Sequence, residues 1–191
     1  MNVSFRYPKK KELKYSRMIS EFIEEVEYKN QSSSKPSQVK VLRTTKLRKL
    51  ITNRFSPVMM QDSHEFLLHL FNNLQDELTE SVAKLPSYDQ YPKVNDLWRE
   101  YTRAFPSQID RLFTAIELSH IKCGACQKET KSLQYYLTFP LQVDGLKSID
   151  QSLKLYVTQE PLPDYKCDKC QIKKNCVLRR QIMRLPEIFV F

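Results

Sequence analysis

Cys123-Gly-Ala-Cys126 and Cys167-Asp-Lys-Cys170 are two Cys-x-x-Cys pairs with 40 residues between them. Each tight turn can present two sulfurs to one ion, so the two together supply the four thiolates of a tetrahedral structural zinc site. Lys122, Lys128, Lys166 and Lys169 flank the pairs and are expected to favour the thiolate form by lowering the cysteine pKa values. Two unrelated reduced pairs or a redox dithiol are the alternatives, and the matched spacing favours the metal. The fifth cysteine, Cys176, follows the second pair by six residues and is expected to be a buried or half-buried strand residue.

A second candidate is carboxylate chemistry at a helix start. Asp62 and Glu65 precede and open an apolar stripe in which Phe66, Leu70, Leu74 and Leu78 fall four apart. Asp62 stands where a capping residue would, with Glu65 three residues later. Gln61 is expected to brace the same loop through buried hydrogen bonds. The histidines His64, His69 and His120 lack partners at metal-ligand spacing: His64 and His69 are five apart, off one another's helical face. His64 and His69 are expected to be surface or half-buried residues.

The elements that must position these groups divide into a helical part and a strand part. Tyr15, Met18, Ile19, Phe22, Ile23 and Val26 recur at helical spacing, and the loop-like Asn30–Ser37 breaks that helix. A short helix carrying Leu47, Leu50 and Ile51 is expected after a cap at Thr44 or Thr45. Another, around Val94 to Arg103, is expected to dock Trp98. Beyond Ile109 the pattern becomes strand-like: Ile116–Lys122 into the first knuckle, Ser132–Val143 out of it, and Asn175–Arg184 out of the second. A brief helix from Ser148, using Ile149, Leu153 and Tyr156, separates them. Ile188–Phe191 reads as a further strand, and an apolar run at the end of the chain is expected to belong to a longer domain.

Composition narrows the class. An odd cysteine count argues against a secreted disulfide framework and suits a reducing cytoplasmic or nuclear setting. No apolar run is long enough to span a membrane, and no secretory signal is seen. The net charge of +9 admits an acidic partner. The basic residues are nonetheless dispersed, with no tract denser than Lys9-Lys10-Lys11, which favours a solvated surface over a nucleic-acid site.

Gln61-Asp-Ser-His-Glu-Phe-Leu67 resembles the Gln-Asp-Ala-His-Glu-Phe-Leu box of the ubiquitin-specific protease family of cysteine deubiquitinases. Leu112-Phe113 ahead of Cys123-x-x-Cys126, then Ser132 and Phe139-Pro-Leu141, follow in the family's order. Glu160-x-Leu162 before Tyr165-x-Cys167-x-x-Cys170, and Leu185–Phe191, continue it. The resemblance is strong from Ser56 to Phe191 and loose before that. It implies an α+β, papain-like fold present in part: an incomplete catalytic domain over 1–191. Residues 1–85 would form a helical thumb, 86–108 a connecting segment, and 109–191 antiparallel β fingers with a zinc ribbon and part of the palm. It also implies a structural Zn2+ on Cys123, Cys126, Cys167 and Cys170, and ubiquitin or ubiquitinated proteins as partners. Asp62 and Glu65 would contact the arginine-rich C-terminal tail of ubiquitin, for which charge-assisted hydrogen bonds suit carboxylates. The same two residues also make a sensible helix cap with no ligand.

The family reaction needs a cysteine thiolate from a Gly-Asn-Thr-Cys box, activated by a histidine that an Asp or Asn orients. No such cysteine box occurs here, and none of the three histidines matches the catalytic position, so no catalytic residue is assigned. The expectation is a deubiquitinase region that recognises ubiquitin but is inactive alone. The alternatives are a catalytically dead ubiquitin-binding relative and, last, a basic zinc-ribbon nucleic-acid binder. The long spacer and the helices before the first knuckle speak against the last.

Overall fold

A computed structural model describes residues 13–31, 44–56, 58–79, 84–173 and 175–191. The loop expected after Asn30 lies mostly outside them. Two compact units divide the chain, Met1–Val82 and Ala83–Phe191.

The first unit is helical. α1 (Lys14–Gln31), α2 (Thr45–Ile51) and α3 (Ser63–Leu78) form where the apolar spacing places them. The first turn of a helix exposes N–H groups with no intrahelical acceptor. In α1 a carboxylate from α3 takes them: Glu77 accepts from the backbone N–H groups of Tyr15 at 2.7 Å and Ser16 at 2.8 Å. This contact joins two helices through a charge placed at a favourable helix pole. Thr44 does stand before α2, but its side chain makes no capping bond. The core of the unit is Phe55, Phe71 and Leu74, with Phe55 edge-on to Phe66 and to His69.

His69 is half-buried there, and its ring is hydrogen-bonded to the Tyr15 hydroxyl at 3.1 Å. Desolvation first, and then the Arg54 guanidinium, hold its pKa below the ordinary value. The unfolded chain therefore binds more protons than the folded one just below the unfolded histidine value of about 6.5. The stability tied to neutral His69 is present above that pH and is lost as the pH falls toward the depressed folded value. Thermal melts between pH 7.5 and 5 should show this acid-side loss in the parent chain and a shallower one in His69→Gln; parallel slopes would remove the histidine from the account.

The second unit holds three helices and one sheet. α4 (Val94–Ala104) turns Leu97 and Tyr101 into the core. Trp98 docks as expected but only half-buried, stacked on Tyr101 with ring centroids 5.5 Å apart. Leu97 and Tyr101 share a face at four-residue spacing, whereas Trp98 lies beside it and carries the Arg184 guanidinium 3.5 Å from its ring centroid. A helix absent from the sequence reading, α5 (Gln108–Phe113), follows under a Ser107 cap that accepts from the Asp110 N–H. Asp110 is fully buried and satisfied: Ser107 Oγ and the Tyr101 hydroxyl both donate to its carboxylate, the latter at 2.7 Å. Buried charge is tolerable only with such partners.

The sheet holds β1 (Ala115–Lys122), β2 (Glu129–Tyr136), β3 (Glu160–Leu162) and β4 (Cys176–Arg184), ordered β2-β1-β4-β3 and antiparallel throughout. β2 is shifted from the expected Ser132–Val143: it starts at Glu129 to complete the hairpin with β1 and ends at Tyr136, before Pro140, which has no N–H for a ladder. Phe139 beyond it is buried and stacks on Phe189. β3 was not anticipated, and α6 (Ile149–Tyr156) begins at its Ser148 cap as the sequence indicates. Ile188–Phe191 forms no strand: isolated backbone bonds run from Ile188 N–H to Leu112 O and from Phe139 N–H to Val190 O. This mixed helix and antiparallel-sheet architecture is the α+β class expected.

Candidate functional site

Sheet topology explains how two cysteine pairs far apart in sequence meet. The first pair lies in the β1–β2 hairpin, just past the Lys122–Glu129 pairing. The second lies between β3 and β4, just past the Leu162–Cys176 pairing. Because β1 and β4 are neighbours with Lys122 opposite Val177, both turns emerge at the same end of the sheet.

The two turns are built alike. Cys123 N–H donates to Lys128 O and Gln127 N–H to Cys123 O, while Cys167 N–H donates to Ile172 O and Gln171 N–H to Cys167 O. Gln127 and Gln171 each adopt a φ of 59°, a left-handed conformation that reverses the chain after the second sulfur. Each glutamine amide then donates back to a carbonyl inside its own knuckle, Gly124 O at 3.2 Å and Asp168 O at 2.9 Å. Cysteine spacing alone does not announce this brace; the signal for it is that glutamine follows both pairs.

The four sulfurs lie within 4.8 Å of one another. Cys123 and Cys170 are 3.8 Å apart and Cys126 and Cys167 3.7 Å, too far for a disulfide bond of about 2.05 Å. A tetrahedron with metal–sulfur bonds of about 2.3 Å has edges of about 3.8 Å. The donor set therefore fits a four-thiolate metal ion, with no ligand position left for substrate. Cys123 and Cys167 are buried and Cys126 and Cys170 half-buried.

Backbone N–H groups, rather than the flanking lysines, dominate the thiol electrostatics. The Cys126 N–H, with that of Ala125, holds Cys123 down to about 6 against the opposing effect of burial. The Cys170 and Lys169 N–H groups lower Cys167 in the same way. At Cys170 the Ile172 N–H also lowers the pKa, but desolvation and the neighbouring sulfurs outweigh it and push the thiol up to about 11. Lys122 instead lies 3.6 Å from Glu129, which also meets His120 at 3.2 Å.

Asp62 and Glu65 lie in the helical unit, both exposed. Asp62 Oδ1 accepts from the His64 N–H at 2.7 Å and the Glu65 N–H at 3.1 Å. These backbone bonds, the one from Glu65 first, hold its carboxyl below the usual aspartate range. Among the described residues, Oδ2 accepts nothing. Glu65 does not close a reciprocal capping box; its Oε1 pairs with Arg54 Nη2 at 3.0 Å. Gln61 is exposed, not buried as expected, and reaches Ser56 O only at 3.4 Å, because the loop before α3 turns toward solvent. An open groove beside this loop, about 360 Å³, is lined by Leu47, Ile51, Phe55, Met59 and Phe66.

Comparison with known proteins agrees with this arrangement. Ubiquitin carboxyl-terminal hydrolase 2 of Bos taurus is 27% identical over 151 residues, covering 72% of this chain and 25% of that protein. Ubiquitin carboxyl-terminal hydrolase 4 of Arabidopsis thaliana is 26% identical over 152 residues, covering 71% and 41%. The chain thus spans less than half the length of these curated relatives. A solved yeast SAGA DUB module with an Sgf73 mutant superposes with a TM-score of 0.60 at 20% identity, over 92% of this chain and 35% of that one, which shows the shared fold. No helix among the described residues is long and apolar enough to cross a membrane. With the ubiquitin carboxyl-terminal hydrolase family matching residues 3–191, the chain belongs to that family, as a ubiquitin-specific protease catalytic-domain region.

Proposed function

We propose that this chain is the ubiquitin-recognising region of a ubiquitin-specific protease, with Asp62 and Glu65 holding the arginine-rich C-terminal tail of ubiquitin. The observation that carries the reading is the exposed Asp62 carboxylate at the head of α3. One oxygen is fixed by two backbone donors and the other has no acceptor duty among the described residues. A carboxylate oriented in this way loses little freedom on accepting a guanidinium hydrogen bond. Glu65 would exchange Arg54 for a tail arginine.

The remaining assignments follow the same reading. Residues 1–85 serve as the thumb, 86–108 as the connection, and 109–191 as fingers and part of the palm. Cys123, Cys126, Cys167 and Cys170 hold Zn2+, which supplies a cross-link for the finger strands and no reaction chemistry. Five free cysteines favour a reducing cytoplasmic or nuclear location. All five sit at or beside the metal quartet, and the chain contains no Gly-Asn-Thr-Cys box. The chain alone therefore binds without turnover; joined to a nucleophilic cysteine and its histidine, it hydrolyses the bond after ubiquitin's terminal glycine.

The test pairs calorimetric titration with ubiquitin and a hydrolysis assay on ubiquitin carrying a fluorogenic amide at its C-terminus. Saturable binding without fluorophore release is expected. Release by this chain would contradict the assignment of no nucleophile, and absence of binding would remove ubiquitin recognition.

A further inference from the structure

The carboxylates at the head of α3 already have an arginine of this chain beside them. α2 ends at Ile51, and the Arg54 and Phe55 N–H groups both donate to Ile51 O at 3.0 Å, which closes a turn after the helix. Phe55 is buried and meets Phe66 edge-on, with ring centroids 5.9 Å apart. Arg54 and Glu65 immediately precede these two rings. The aromatic contact therefore holds the two stretches of chain close enough for the charged neighbours to pair at the surface, and Arg54 Nη2 lies 3.0 Å from Glu65 Oε1.

The pair is weak by construction. Its side chains are 56% and 52% exposed, where water screens the attraction and an ion pair contributes little. One nitrogen and one oxygen carry it, short of the two-bond fork that an arginine can make with a carboxylate. An incoming guanidinium that uses both Glu65 oxygens is the better partner and can displace Arg54. The exchange still carries a penalty, because the existing pair must break and Arg54 is left as a like charge beside the ligand.

On the reading that Asp62 and Glu65 hold the arginine-rich tail of ubiquitin, we propose that Arg54 is an internal competitor for that site. It occupies Glu65 in the unliganded chain, gives way when a tail arginine arrives, and so holds the affinity down. Affinity differences within one interface lie mostly in the dissociation rate, so the competitor also speeds release of the ligand. Removing Arg54 therefore tightens binding, the opposite sign from removing Asp62 or Glu65. A bracing role, in which Arg54 orients Glu65 for the ligand, gives the reverse.

The test is calorimetric titration of the 191-residue chain with ubiquitin, comparing the parent, Arg54→Gln, Glu65→Gln and the double variant. Glutamine keeps part of the arginine stem beside Phe55 and removes the charge. Arg54→Gln is expected to bind about two- to fivefold tighter, the range of one exposed ion pair, and Glu65→Gln more weakly than the parent. In the Glu65→Gln background the Arg54 substitution should give no comparable gain. Unchanged or weaker binding by Arg54→Gln would overturn the competitor role. So would an equal gain in both backgrounds, because Arg54 would then act as a distant charge and not through Glu65. A parent chain that does not bind ubiquitin, or a Glu65→Gln variant that binds as tightly as the parent, overturns the tail reading itself, a result distinct from the other two.

Discussion

Cys167→Ser is expected to take the chain from one bound metal equivalent to none and to abolish cooperative unfolding of the sheet unit. Cys167 lies in the turn between β3 and β4, and Cys123 in the hairpin of β1 and β2. An ion held by the four sulfurs would therefore tie the two halves of a four-stranded sheet whose outer strand β3 contributes only three residues. Small sheets without such a tie are marginal, and in this arrangement binding energy becomes folding energy. A serine hydroxyl is a poor substitute for a thiolate, and the remaining three sulfurs would surround an incompletely coordinated ion. Metal analysis after gel filtration, with urea unfolding followed by circular dichroism, reads both effects. A strong chelator should reproduce the loss in the parent chain, and added Zn2+ should reverse it. Retention of stoichiometric metal by the variant would contradict the four-sulfur centre.

Asp62→Asn is expected to lower affinity for ubiquitin by about tenfold, the factor supplied by one charge-assisted hydrogen bond, while leaving the melting temperature almost unchanged. The choice of asparagine separates two roles. Asparagine caps helices about as well as aspartate, so the bonds now made by Asp62 Oδ1 to the His64 and Glu65 N–H groups can persist while the charge is lost. Asp62→Ala removes both and should lower stability as well as affinity. If Asp62→Asn binds ubiquitin as tightly as the parent, the residue is a cap and nothing more.

Long or doubly signalled features were readable in the sequence. α3 carries an apolar stripe and a cap, and the knuckles carry spacing that few other structures use, so each announced itself twice. Short elements were harder. α5 has six residues, less than two turns, and offers no periodicity; its Ser107-x-x-Asp110 cap was the only available signal. β3 has three residues and includes Pro161, so it exists because β4 presents an edge to pair with, a tertiary cause that no local pattern records. The face that α4 buries is set by Leu97 and Tyr101 together, with Trp98 stacked at its edge. The expected partner of Asp62 at the helix start, Glu65, is drawn away by Arg54, eleven residues earlier. The burial of Cys176 against Cys123 depends on the β1–β4 register, which the sequence does not specify.

The most direct measurement compares binding of this chain to intact ubiquitin and to ubiquitin lacking its C-terminal tail, by calorimetry under one buffer condition. Saturable binding to the intact protein is expected, with at least a tenfold loss when the tail is removed. Equal affinity for the two forms would contradict tail recognition at Asp62 and Glu65, and no binding to either would contradict ubiquitin recognition altogether.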